Sequence, residues 1–193
     1  MKKIIFFFLL LILAAVPVRA REEKQERIEL KATNAATIRN EYQERIRTRL
    51  EEFKAKLGLI KDERKQKIAE RINTQLAHLN KQITTHFTNV LTRLRALMDK
   101  LTVKIDQAKT DGLDTSKAEE LMTLASAAIV KAEEAVKIQV KNEYVIEFTD
   151  ESGLKVGAST AKQQLKTDLE AVRELVKAAR QSVVDVLQEL EAL

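Results

Sequence analysis

IAERINTQLAHLNKQITTHFTNVLTRLRALMDKLTVKIDQA, residues 68–108, is the stretch whose reading decides the fold. Its apolar residues Ile68, Ile72, Leu76, Leu79, Ile83, Phe87, Val90, Leu94, Leu97, Leu101, Ile105 and Ala108 recur at steps of three and four. That is the repeat of one apolar stripe on one long helix. Neither Gly nor Pro interrupts it, so nothing in the stretch forces a break. At 1.5 Å per residue it spans roughly 60 Å. A helix of that length with one apolar face needs partners along its whole length, and the rest of the chain has to supply them.

The composition agrees. Of 193 residues, 33% are charged and 4% aromatic, with 4 Gly and 1 Pro. A β-rich domain would need more turn formers and more β-branched and aromatic residues. The expectation is an all-α fold: an elongated antiparallel helical bundle with coiled-coil-like seams, following an N-terminal signal peptide. Residues 21–193 read as a single domain with helices at about 24–57, 62–109, 117–141 and 158–191.

C-terminal to the central stretch, Gly112 suits the left-handed position that ends a helix. Ser116 followed by Glu119 reads as a capping box for the third helix, with Asp114 and Thr115 as rival caps. That helix repeats every seven residues: Ala118, Ala125 and Ala132 in one register, Met122, Ile129 and Val136 in the other. Alternating small and large layers let a partner helix approach closely. The short turn makes the second helix that partner, antiparallel to it. Charge supports the pairing, since residues 72–111 carry 6 basic and 3 acidic groups and residues 112–153 carry 4 basic and 9 acidic.

Residues 142–157 read as an extended connector. Tyr144-Val145-Ile146-Glu147-Phe148 is β-prone but has no second strand to pair with. Tyr144 and Phe148 are expected to cover the end of the bundle core, and Gly153 and Gly157 to delay the next helix. The last helix has the strictest repeat, from Leu165 through Leu169, Val172, Val176, Ala179, Val183, Val186 and Leu190 to Leu193. That is a coiled-coil seam held for four heptads. Lengths then place the third helix back along the second to about Phe87, with the fourth returning beside the second towards Gly112.

Towards the N-terminus, a first helix carries the stripe Ala35, Ile38, Tyr42, Ile46, Leu50, Phe53 and Leu57. Gly58 and Asp62 mark a break before the second helix, although the stripe resumes at Ile60 and one kinked helix is the competing reading. Upstream again, Lys2 and Lys3 precede a 13-residue apolar run, Ile4 to Val16, and then Pro17 and Val18-Arg19-Ala20. The run is shorter than the ~20 residues a membrane-spanning helix needs. The pattern is that of a secretory signal peptide cleaved after Ala20, with an uncleaved membrane anchor as the alternative. No later stretch is apolar enough to cross a membrane, so the mature chain is expected to have no transmembrane helix and to be secreted or held in the cell envelope.

Two stretches carry a resemblance: Gly112-Leu113-Asp114-Thr115-Ser116-Lys117-Ala118-Glu119 at the turn, and Asp168-Leu169-Glu170-Ala171-Val172-Arg173 with Ala178-Ala179-Arg180 in the last helix. With the signal peptide, they make residues 70–193 similar to a group of exported helical proteins of small-genome candidate-phylum bacteria. That group has no assigned activity, so the resemblance implies export and a helical fold and brings no functional residues with it.

The chain has no Cys, which rules out disulfides, thiolate chemistry, Cys metal sites and a lipid-anchored lipoprotein. His78 and His86 lie eight apart with no zinc-binding spacing around them and read as surface residues. The adjacent acids Glu119-Glu120 and Glu133-Glu134 diverge by about 100° on a helix and read as solvated faces. No phosphate loop, calcium loop or nucleotide fingerprint is present. No catalytic, cofactor-binding or metal residue is therefore assigned, and no cofactor.

The net charge of +5 falls to +2 when the signal peptide removes Lys2, Lys3 and Arg19, and with it goes the case for nucleic acid. A basic cluster from Lys54 to Arg71 could touch an envelope polymer or lipid headgroups, or could be a solvated face. The Thr-rich face of Thr74, Thr85, Thr88 and Thr92 with Lys81 is either plain surface or covered by another helix or another copy. Two function classes fit: a non-enzymatic structural or interaction protein, meaning a coiled-coil scaffold or spacer that binds a protein partner or itself, and a holdase-type exported chaperone.

Overall fold

The computed structural model describes residues 37, 40, 41 and 43–193. The signal peptide, its cleavage site and the stripe residues Ala35, Ile38 and Tyr42 lie outside them. The chain divides into two compact units, Met1–Thr48 and Arg49–Leu193; the architecture below is that of the second. The fold is an all-α helical bundle. Helix α1 is described over residues 43–57, and α2 (Glu63–Thr110), α3 (Ser116–Val140) and α4 (Leu154–Glu191) follow it. Each of the last three packs on the other two.

Helix α2 is 48 residues, roughly 70 Å. Asp62 caps it, its carboxylate accepting from the backbone N–H groups of Arg64 and Lys65. The chain breaks between α1 and α2 at Gly58 to Asp62, so the kinked-helix alternative is not what forms. Gln66 closes the corner, its amide donating to the carbonyls of Leu57 (3.0 Å), at the end of α1, and Ile60 (2.6 Å), in the break. At the other end Gly112 has φ +82°. Leu113 N–H bonds the Ala108 carbonyl and Gly112 N–H the Lys109 carbonyl, the paired bonds of a Schellman cap.

The start of α3 differs in detail from the expected capping box. Thr115 is the N-cap, its hydroxyl donating to Glu119, while Asp114 accepts the Ser116 N–H. Ser116 is the first helical residue. The alternating layers of α3 are as expected: Ala118, Ala125, Ile129, Ala132 and Val136 are buried, Met122 half-buried. Two ion pairs join α3 to α2, a bidentate Arg95–Glu133 pair (3.0 and 2.9 Å) and Lys109–Glu119 (2.8 Å).

The buried side of α2 is turned from the simple stripe. Ile68 and Leu79 are 55% and 43% exposed, whereas Asn80, Thr84, Leu91 and Met98 are buried. The reason is that α2 is gripped by two helices, so its buried arc is wider than one stripe and includes a polar flank. The Thr face with Lys81 is exposed.

Past α3 the chain runs extended from residue 142 to 148 without pairing as a strand. Tyr144, Ile146 and Phe148 alternate inward and Glu147 outward, the two-residue period of an extended chain. Tyr144 and Phe148 serve different clusters. Tyr144 joins the main core of α2, α3 and α4; Phe148 joins a smaller one with Phe53, Leu57, Ile60, Ala69, Ile146 and Leu154, meeting Phe53 edge-on with ring centroids 6.2 Å apart.

Helix α4 starts at Leu154, earlier than the expected Ala158. Asp150 accepts from the N–H groups of Ser152 and Gly153 and sets the entry turn, and Leu154 is buried in the small cluster. Gly157 therefore lies inside the helix, not ahead of it. A Cβ there would collide with the carbonyl oxygen and carbon of Glu147, so the glycine lets the connector lie directly on α4. The seam Leu165 to Val186 is buried throughout, and Lys117–Glu189 (2.9 Å) brings the end of α4 to the start of α3. Helix α4 thus runs parallel to α2 and returns to the Gly112 end.

Candidate functional site

The most organised polar feature lies where α3 ends. Helix α3 reaches Asn80 on α2, about two turns beyond the expected Phe87. There the Asn80 side-chain amide donates to the backbone carbonyls of Gln139 and Asn142, both at 3.0 Å. The Gln139 carbonyl lies in the last turn of α3 and also accepts the Asn142 N–H (3.0 Å); Asn142 itself lies just beyond the helix. The Gln139 amide donates to Asn80 Oδ1 (2.9 Å) and to the Tyr144 hydroxyl (2.8 Å). Asn142 Nδ2 donates to Gln139 Oε1 (3.1 Å), closing a ring. Tyr144 in turn donates to Asp168 Oδ2 on α4 (2.7 Å), whose other oxygen accepts from Gln164 (2.8 Å).

Asn80 and Gln139 are 5% and 2% exposed. At that burial an unpaired amide costs on the order of 1–3 kcal/mol. Here both amide hydrogens of each side chain are used and each carbonyl oxygen accepts. The knot is directional: it closes only when Gln139, Asn80, Tyr144 and Asp168 stand at one level. It therefore fixes the register of α2, α3, the connector and α4, which apolar seams alone leave free to slide by a turn. Elsewhere on α2, buried Asn73 Oδ1 has no hydrogen-bond partner among the described residues.

Burial and the Asp168 carboxylate push the Tyr144 hydroxyl up to about 12. A phenol held neutral over the physiological range is a donor, not a nucleophile. Half-buried Glu143 is pushed up by burial, opposed by the Arg49 charge. Arg95 holds Glu133 below the usual carboxylate range, and Lys109 and the Thr115 hydroxyl do the same for Glu119. Those two acids are bundle ties, and their neighbours Glu120 and Glu134 point to solvent.

The two histidines are exposed. Among the described residues no three His, Asp or Glu side chains are grouped to hold a metal, and no helix is long and apolar enough to cross a membrane. The basic cluster Lys54 to Arg71 is exposed, with Lys65 paired to Glu151.

Sequence reasoning missed the knot. One signal was present: Gln139 stands seven residues after Ala132 in the register of Ala118 and Ala125, a polar residue at a seam position. Asn80 gave none, because Leu79 beside it claimed the stripe. No protein-family model, no curated protein and no solved structure matches this chain.

Proposed function

We propose that this chain is an exported, non-enzymatic interaction protein of the cell envelope or exterior, a helical scaffold or spacer. The observation that carries it is the construction of the bundle. A helix of roughly 70 Å is tied to two others, and a buried hydrogen-bonded knot locks their register. Such a body holds its surfaces at fixed separations, which is what a spacer requires. The signal-peptide pattern supports the location, and cleavage predicts a native N-terminus at Arg21.

A holdase is the second reading. Its support is the apolar surface left on the outside of α3, where Leu124 is 56% and Ile138 64% exposed. Light scattering across a dilution series, paired with an aggregation assay on a thermally unfolding client, separates the two. Concentration-dependent mass without client protection supports the scaffold. Suppression of client aggregation at equimolar protein, with the chain monomeric throughout, would replace it with the chaperone.

A further inference from the structure

We infer that the groove between α2 and α4 docks an acidic amphipathic helix of a partner protein. This deepens the interaction-protein reading and rests on it. The groove holds about 580 Å³. Its floor is apolar, made by Ile83, Phe87, Val90 and Val176, with Leu79 half-exposed at its lip. Among the described residues, every ionisable one lining it is basic or a histidine: Arg173, Lys177, Arg180 and His86.

That bias is local. The groove between α2 and α3 balances Arg95 and Lys131 against Asp99 and Glu134, and the groove beside the connector balances Arg49 and Lys56 against Glu143 and Glu147. The nearest acids on the α4 edge are engaged, Glu174 with Lys177 at 2.7 Å and Glu170 with Lys166 at 4.0 Å. Among the described residues Arg173 and Arg180 have no ion-pair partner. They stand seven residues apart on one edge, roughly 10 Å. Two carboxylates two turns apart on an incoming helix would meet both guanidinium groups, each suited to a bidentate pair.

A helix fits this groove better than an extended peptide. Both walls are helices whose backbone groups are bonded internally, so an added strand would find no backbone partners. Along α2 the floor runs from Leu79 to Val90, about 16 Å or three turns. An occupant with apolar residues at i, i+4 and i+7 would lay them on that floor, with its acids over the arginines.

The test uses the full mature chain and two labelled synthetic peptides of roughly 18 residues, five helical turns. Both carry Leu at i, i+4, i+7 and i+11; one is flanked by Glu and the other by Lys. Binding is read by fluorescence anisotropy. The Glu peptide should bind saturably and the Lys peptide should not. Arg173→Glu with Arg180→Glu should weaken the Glu peptide about tenfold or more and admit the Lys peptide. A control with the same charge change on the far half of α2, Lys100→Glu with Lys104→Glu, should leave binding within about threefold. Gain of the Lys peptide also shows that the groove variant is folded. No saturable binding, equal binding of both peptides, or equal loss in the control overturns the inference. So does binding confined to phosphatidylglycerol vesicles or to a second copy of the chain and lost in the groove variant. None of these outcomes decides the scaffold reading, which is settled by mass and client protection without peptide.

Discussion

Gly157 shows how much one residue can hold. The connector lies on α4 because position 157 has no side chain, and a Cβ would strike the Glu147 carbonyl. The obstacle is backbone, which cannot rotate away as a flexible side chain can. Gly157→Ala adds a good helix former to a helix interior, which on propensity alone would stabilise by up to ~1 kcal/mol. Overpacking costs more, typically 1–3 kcal/mol, so the net expectation is a lower melting temperature and loosening of residues 144–148 in hydrogen exchange. An equal or higher melting temperature would mean that the connector does not rest on the helix. Tyr144 makes a second residue-scale prediction. Its folded-state pKa of about 12 lies above the ordinary value near 10. The folded form thus disfavours the tyrosinate: the group leaves stability unchanged below pH ~10 and weakens folding as pH rises from there towards 12. Tyr144→Phe should remove that part of the alkaline loss and delete the late step in the tyrosinate absorbance. If the late step survives in the variant, the hydroxyl is not in the knot. Gly112 was legible from sequence, because a lone Gly after a long periodic run signals a left-handed cap. Gly157 was not, because a glycine that admits a carbonyl from a distant segment looks like any turn former until that segment is placed.

At the scale of elements the periodic signals were the readable ones. The heptads of α4 from Leu165 to Val186 and the layers of α3 pack as their spacing implied, since each presents one seam. Helix α2 departs from its single apolar stripe: two neighbours bury Asn80 and Thr84 with Leu91 and Met98. A stripe cannot show that a polar flank is also inside, because that depends on what caps the neighbouring helix. The Ala layers supply the test at this scale. Ala125 and Ala132 are fully buried and set how closely the other helices approach α3. Ala132→Leu should overpack that contact and cost about 1–3 kcal/mol, read as a shift of the urea midpoint at unchanged slope. A raised midpoint would show that the layer has room, and that the large positions, not the alanines, set the spacing.

For the Arg49–Leu193 unit the question is where α4 goes. Arithmetic on helix lengths, with an extended connector adding a further ~20 Å, required α4 to begin near the far end of α2 and run back. The structure places Leu154 with Ala69 and Phe53 in the small cluster and Glu189 against Lys117, which fixes both ends of that return. Energetically the return is reasonable: a helix carrying the unbroken seam Leu165 to Val186 cannot leave the bundle without exposing it, at roughly 25 cal/mol per Å² of apolar surface. The same seam would be satisfied equally well on a second copy, because a swapped helix makes the same contacts. Spin labels at exposed Leu113 and Leu193 distinguish the two, since both flank the Gly112 end when α4 folds back on its own chain. The expected result is a short distance, far below the ~70 Å length of α2, that persists when labelled chain is unfolded and refolded in excess unlabelled chain. Loss of the short distance on dilution would mean that α4 is exchanged between chains.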